Sequence, residues 1–311
     1  MIYELAIVGG GPAGTAAGVY AARKRLKTIF IAETIGGQST ESEEIQNWIG
    51  TEKIAGAEFG KALERHLKAY ADGVLDMQIG ARVVNITRNA ETGIFTLHTA
   101  NNTYEARAVL ITTGGARRKL DIPGAKEFEY KGLTYCVSCD GPLFAGQDVV
   151  VVGGGNAGFE AAAQLLAYAK SVTLLHRGSE FSKADKTTVD AVTAHAHMTA
   201  LTDTEPIEVR GSTFVEGVLT RNKATGQEKL IPASGIFVEI GMLPTTNFVQ
   251  GIAERNDFGY IIVDPRTQRT SQEGIWAAGD CTDGLYHQNN IAAGDAIKAL
   301  ENIYYWLKTQ K

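Results

Sequence analysis

The stretch Leu5-Ala6-Ile7-Val8-Gly9-Gly10-Gly11-Pro12-Ala13-Gly14 decides the fold. An apolar run of strand length leads into a G-x-G-x-x-G turn, an alanine-rich segment follows to about Lys24, and residues 28–32 return as a second strand. The glycines of such a turn let backbone N–H groups approach a pyrophosphate at the positive end of the helix. The stretch therefore predicts a strand-turn-helix-strand unit that binds a dinucleotide.

The same unit occurs twice in the chain, because residues 148–177 repeat the pattern of residues 4–33. In the second copy an apolar strand leads into Gly153-Gly154-Gly155-Asn156-Ala157-Gly158, and a helix and another strand follow. Two glycine turns that only pack a helix against a sheet are the alternative interpretation. The repetition in full context favours two dinucleotide sites.

The two copies differ where the second strand ends, which is where the adenosine ribose is recognised. Glu33 and Arg177 stand at equal distances from the first glycines of their copies. A carboxylate accepts hydrogen bonds from a ribose diol, whereas an arginine suits a 2′-phosphate. The first site is therefore predicted to bind FAD or NAD, and the second NADP.

The position of the second copy sets the expected domain boundaries. A chain of 311 residues exceeds the usual size of one hydrophobic core. Strand-like segments that end in glycine near residues 109–115 and 240–244 mark the crossings. We predict an α/β chain with two Rossmann-like dinucleotide-binding domains, the second inserted into the first. The outer domain comprises residues 1–114 and 243–311, and the inner one residues 115–242.

Composition narrows the classes of partner. The net charge is −5, which argues against nucleic acid or an anionic membrane as the main partner. The sequence begins without the basic start and cleavage site of a secretory signal, and no apolar run approaches the roughly 20 residues that span a bilayer. A cytoplasmic location is therefore expected.

Two of the three cysteines lie in Cys136-Val137-Ser138-Cys139-Asp140. A lone Cys-x-x-Cys in a reducing compartment favours redox chemistry over a structural role. A zinc half-site is less favoured, because zinc takes about four ligands and the sequence shows no second pair of ligands; no metal is predicted. An inert disulfide stays open as an alternative. The third cysteine, Cys281, is expected to be a small buried apolar residue.

Together these motifs resemble the low-molecular-weight thioredoxin reductase family over nearly the whole chain. The runs Asp140-Gly141-Pro142-Leu143-Phe144 and Gly235-Ile236-Phe237-Val238-Glu239-Ile240-Gly241 look closer to the flavoprotein subunit of alkyl hydroperoxide reductase. The resemblance implies an outer FAD domain, an inner NAD(P)H domain that holds the dithiol, a thioredoxin-like protein as electron acceptor, and a homodimer.

The resemblance also implies site residues. For FAD they are Gly9, Gly11, Pro12, Ala13, Gly14, Glu33, Gly37, Gln38, Asn47, Thr113, Gly114, Gly279, Asp280 and Gln288. For the second dinucleotide they are Gly153, Gly155, Asn156, Ala157, Gly158, His176 and Arg177. Cys139 would face the flavin, Cys136 would attack the partner's disulfide, and Asp140 would transfer the proton. Loop capping is the alternative role for Gln38 and Asn47.

The sequence departs from the family at His176-Arg177-Gly178-Ser179-Glu180, where NADPH-using members carry a second arginine. Arg177 and, further on, Lys183 remain as cations, and Glu180 adds a repelling charge, which predicts a weakened 2′-phosphate clamp. Three alternatives stay open: NADPH or NADH is the donor, a ferredoxin-type protein reduces FAD directly, or the second site binds another ligand. A non-enzymatic redox sensor is the alternative from another class. His287 replaces a residue of the family's Arg-Gln-Ala and would tune the flavin or cap a helix. Core packing is expected for Tyr304-Tyr305-Trp306.

Overall fold

The structure is a computed structural model that describes residues 1–42 and 44–309. The chain forms two compact units, Met1–Ala116 with Leu243–Lys311, and Arg117–Met242. The outer domain expected from the sequence includes Gln310 and Lys311, which lie outside the described residues. Each unit is described by itself below.

The elements follow the chain in this order. The strands are β1 (Ile2–Val8), β2 (Thr28–Ala32), β3 (Leu75–Ile79), β4 (Val83–Arg88), β5 (Phe95–Thr99), β6 (Thr103–Ile111), β7 (Gly115–Arg117), β8 (Leu133–Thr134), β9 (Asp148–Val152), β10 (Ser171–Leu175), β11 (Met198–Leu201), β12 (Thr204–Gly211), β13 (Val215–Asn222), β14 (Glu228–Pro232), β15 (Gly235–Val238), β16 (Met242–Pro244) and β17 (Ile275–Ala277). The α-helices are α1 (Pro12–Arg23), α2 (Gly56–Ala71), α3 (Val137–Asp140), α4 (Asn156–Leu165), α5 (Lys186–Thr193) and α6 (Asn289–Thr309).

The first unit is built on a sheet of order β3-β2-β1-β6-β5-β4, with β17 also paired to β6. Strand β1 pairs in parallel with both β2 and β6, so that Ile7 lies opposite Phe30 on one side and Leu110 on the other. These central strands are apolar runs because both faces of the sheet are covered. Helices α1 and α6 pack over one face together with Trp276, and a second apolar cluster fills the other face.

The second unit contains a parallel sheet of order β11-β10-β9-β15-β8 and an antiparallel sheet of order β12-β13-β14. Val151 of β9 lies opposite Leu174 of β10 and Phe237 of β15. From β9 the sheet therefore extends through β10 and β11 on one side and through β15 on the other, as in doubly wound dinucleotide folds. The prediction of two Rossmann-like folds in an α/β chain is confirmed.

The bounds of α1 and β2 agree closely with those predicted from the sequence. Helix α1 ends at Arg23, one residue before the predicted position, and β2 has the predicted bounds.

The prediction of core packing was wrong for Tyr305, whose side chain is 69% exposed, whereas Tyr304 and Trp306 pack against the core. Consecutive residues of a helix point about 100° apart, so three in a row do not share one face. Over the described ranges, no helix is long and apolar enough to cross a bilayer.

Candidate functional site

The first glycine turn has the three geometries that a dinucleotide loop requires. Gly9 has φ +118°, and a Cβ there would overlap the carbonyl oxygen of Thr112. A Cβ on Gly14 would overlap the carbonyl oxygen of Gly9, so helix α1 can approach the turn closely. Gly11 is open: the nearest atom to a Cβ there is the Cα of Gly37, at 4.0 Å. The middle glycine thus leaves room for a ligand to meet the backbone.

Distant segments of the first unit converge on this turn. A Cβ on Gly279 would lie 3.2 Å from the Cβ of Ala13, so the turn before Asp280 lies against the start of α1, where Pro12 is the first helical residue. Gly114 has φ +61°, and within the described part of the chain nothing comes within 4 Å of a Cβ there. Thr113 instead donates its hydroxyl to the carbonyl of Thr245 at 2.7 Å.

The polar residues that the resemblance implied are partly brought together. Asn47 Nδ2 donates to Gln288 Oε1 at 3.0 Å, and Asn290 Nδ2 donates to the Asn47 carbonyl at 2.7 Å. The loop at Asn47 is therefore fastened to the start of α6. Gln38 is exposed, and Glu33 is exposed with a carboxylate oxygen 3.8 Å from Arg82 Nε.

In the same region, the His287 side chain has a buried ring nitrogen, Nε2, without a hydrogen-bond partner among the described residues. Its ring lies 5.7 Å from the ring of Tyr260, and burial, with a further contribution from Asp280, raises the pKa of Tyr260. An open glycine at position 11 and a buried nitrogen that lacks a partner fit a large polar ligand such as FAD.

The second glycine turn repeats the first. Gly153 has φ +134°, and a Cβ there would overlap the carbonyl oxygen of Glu239. A Cβ on Gly158 would overlap the carbonyl oxygen of Gly153. At Gly155, a Cβ would meet nothing within 4 Å in the described chain. The turn is thus an open cradle at the N-terminus of α4, with Ala157 exposed beside it, and fits a dinucleotide.

The predicted 2′-phosphate clamp has an exposed arginine and a histidine with structural contacts, and Asn156 of the glycine turn has a structural contact as well. The His176 ring covers Gly154, and its Nε2 lies 2.9 Å from the carbonyl of Glu180. Asn156 Oδ1 accepts the backbone N–H of Asp185 at 2.7 Å. His176 and Asn156 therefore hold the loop in shape, and Arg177 is the exposed cation at this end of β10.

The cysteine pair is a disulfide at the start of the short helix α3. Cys136 occupies the N-cap position of this helix and is bonded to Cys139, and both residues are half-buried. The hydroxyl of Thr134 donates to Asp140 Oδ2, and the Cys136 N–H donates to the same hydroxyl at 3.3 Å. The carboxyl group predicted to transfer protons is thus linked to the dithiol through Thr134.

Sequence reasoning missed one carboxyl group, that of Glu239. Its side chain is only 17% exposed, and its Oε1 lies 3.9 Å from Arg117 Nη1. Burial raises the pKa of Glu239 to about 7, against a lowering by Arg117, and the negative charge of Glu160 adds to the rise. The available signal was its position directly after a strand that pairs with β9.

Comparison with known proteins decides the family. The sequence profile of the pyridine nucleotide-disulphide oxidoreductases matches residues 3–296. The chain belongs to the pyridine nucleotide-disulphide oxidoreductase family. The solved structure of thioredoxin reductase from Giardia duodenalis is similar, with a TM-score of 0.92 and 32% identity over 99% of each chain. The family resemblance and the enzyme class expected from the sequence are thereby confirmed.

Two curated relatives from this oxidoreductase family are longer. The flavoprotein component of alkyl hydroperoxide reductase from Escherichia coli (strain K12) is 38% identical over 99% of this chain and 59% of its own length. A protein named NADH dehydrogenase from Bacillus subtilis (strain 168) is 37% identical over 98% of this chain and 58% of its own length. The chain therefore spans about three fifths of the length of these relatives.

Proposed function

We propose that this chain is an FAD-dependent, thioredoxin-reductase-like oxidoreductase that passes electrons from a reduced pyridine nucleotide, through the Cys136 and Cys139 pair, to the disulfide of a thioredoxin-like protein. The observation that carries the proposal is the environment of the disulfide. It begins just beyond β8, at the same edge of the parallel sheet as the second glycine turn, and Thr134 links it to Asp140.

The residues of the chain divide the exchange chemistry between them. Bound FAD supplies two-electron transfer between the donor and the cysteine pair. In the reduced pair, the Cys136 thiolate attacks the acceptor's disulfide and forms a mixed disulfide. The Cys139 thiolate then attacks Cys136, which restores the internal disulfide and releases the acceptor as a dithiol. Asp140 gives a proton to the departing thiolate, held in place by the Thr134 hydroxyl.

For the donor, we propose that NADH serves better than NADPH. Arg177 is exposed at the end of β10, and Glu180 on the same loop is exposed as well. A 2′-phosphate there gains one cation and meets a carboxylate, whereas a ribose diol tolerates both. The name of the Bacillus subtilis relative also supports NADH.

A donor that reduces FAD directly, such as reduced ferredoxin, is the competing candidate, and the weak clamp at Arg177 favours it over NADPH. Anaerobic titration separates the donors. Bleaching of the flavin by NADH at lower concentration than by NADPH supports the proposal, and bleaching by reduced ferredoxin alone supports the competitor. The same samples, alkylated and analysed by mass spectrometry, should show label on Cys136 and Cys139 only after reduction. A pair that stays unlabelled in the reduced enzyme would contradict the proposed route.

A further inference from the structure

The exit of β15 forms one wall of the second glycine turn. Strand β15 pairs with β9, the Glu239 N–H donates to the Val152 carbonyl at 2.8 Å, and the Glu239 carbonyl lies where a Cβ on Gly153 would be. In a doubly wound sheet the ligand lies across the point where strand order reverses. The adenosine half of a dinucleotide then lies towards β10, which ends before Arg177, and the other half lies over the exit of β15.

Glu239 is therefore a residue with a largely buried carboxyl group at the exit of β15, where its backbone lies against the second glycine turn. The 3.9 Å separation from Arg117 Nη1 is longer than a hydrogen bond, so the cation compensates the carboxylate only in part. Helix α4 contributes Glu160, whose negative charge also acts on Glu239. His176 reaches the turn from the end of β10, and Asp140 lies beyond β8, bonded to Thr134.

The charge of this carboxyl group matters to a ligand that brings a diphosphate. Ligand binding excludes water from the crevice, and two negative charges repel more strongly in a medium of low dielectric constant. Neutral Glu239 avoids that repulsion and offers an O–H donor. Resting on the proposed function, we propose that Glu239 controls the affinity of the second turn: the turn binds the diphosphate and second ribose of a dinucleotide with Glu239 neutral, and ionised Glu239 opposes binding.

The test measures binding of ADP-ribose, which has the diphosphate and the second ribose but cannot reduce the flavin. Titration calorimetry on the oxidised holoenzyme at pH 6, 7 and 8 gives Kd. Because burial raises the pKa of Glu239 to about 7, linkage to one proton predicts that Kd rises about tenfold between pH 6 and pH 8. In Glu239→Gln, Kd should stay constant over this range.

A control variant isolates the effect. Glu228→Gln removes an exposed carboxylate that is paired with Arg221, and should keep the tenfold rise. If Glu239→Gln keeps the rise, or the unmodified protein shows none, the inference is overturned.

Two further outcomes are also decisive. If Glu239→Gln does not fold, Arg117→Gln replaces it: loss of the cation should move the midpoint of the rise to higher pH, and an unmoved midpoint overturns the inference. If ADP-ribose does not bind the unmodified protein even at pH 6, the proposed dinucleotide site itself fails, and the inference fails with it. Binding without pH dependence leaves the proposed function intact and removes only the role of Glu239.

Discussion

Alanine substitutions at Gly9 and Gly11 can separate the roles of the first and middle glycines of the first glycine turn. At Gly9, φ is +118° and an added Cβ overlaps the Thr112 carbonyl oxygen. At Gly11, the backbone has φ −73° and ψ −171°, which any residue adopts, and the nearest atom is 4.0 Å from an added Cβ. Gly9→Ala should therefore damage the fold, and Gly11→Ala should damage only ligand binding.

The magnitudes follow from these geometries. In Gly9→Ala, a strained backbone costs about 1–3 kcal/mol and the overlap a similar amount, so we expect a loss of about 4 kcal/mol in the free energy of unfolding. In Gly11→Ala, the apoprotein should keep its stability or gain about 0.5 kcal/mol. The new methyl group, however, keeps a phosphate away from the backbone N–H groups. Loss of one or two hydrogen bonds to a charged group costs about 3 kcal/mol, or roughly a hundredfold in Kd for FAD.

The assay has two readouts on flavin-free protein. Urea unfolding gives the stability of the apoprotein, and quenching of flavin fluorescence on adding FAD gives Kd. Apoprotein is needed for the first readout because bound FAD would itself stabilise the fold. If Gly11→Ala binds FAD with the same Kd as the wild type, the assignment of this turn to the flavin is refuted. If Gly9→Ala has the same free energy of unfolding as the wild type, the packing argument is refuted.

Three further predictions concern single side chains. Glu239→Gln should leave the free energy of unfolding unchanged near pH 4 and raise it by up to ~3 kcal/mol at pH 9, because the pKa of Glu239 in the folded protein, about 7, lies above its ordinary value of 4.5 and the wild type loses stability as pH rises through 7. If thermal unfolding shows no difference between the two proteins across this pH range, the prediction is contradicted. Asp140→Asn should slow disulfide reduction about a hundredfold, since Thr134 then holds an amide that cannot transfer the proton. An unchanged rate would speak against the proton-transfer role. Asn302→Ala should lower the free energy of unfolding in urea by about 1–3 kcal/mol, because the buried Trp276 Nε1–H, which donates to Asn302 Oδ1 at 3.1 Å, loses its acceptor. A loss below about 0.5 kcal/mol would contradict this.

The parts of the fold that local pattern controls could be predicted. Strand Thr28–Ala32 is an apolar run between polar turns, and the glycine turns have a fixed spacing to the helices that follow them. The exposed Tyr305 was not predicted, because the direction of a side chain depends on the phase of the helix relative to its neighbours. Residue type alone does not fix that phase.

The candidate site was predicted less completely, for a similar reason. Asn47 and Gln288 were each expected near the flavin, but their mutual hydrogen bond joins segments 241 residues apart and depends on tertiary packing. The environment of Glu239 was missed because its burial depends on β15 lying beside β9. The sequence shows a glutamate after an apolar run, and only the sheet order places it at the second glycine turn.

The central claim is that electrons leave through the cysteine pair, and the rate of reduction of a thioredoxin disulfide tests it most directly. The comparison is between Cys139→Ser and Cys281→Ser in the FAD-loaded protein, with the donor that bleaches the flavin in the titration. Cys281 is fully buried, and burial raises the pKa of its thiol to about 11, so its replacement should leave turnover near that of the unmodified protein. Cys139→Ser should abolish turnover while the donor still bleaches the flavin. Turnover by Cys139→Ser at the unmodified rate would contradict the account.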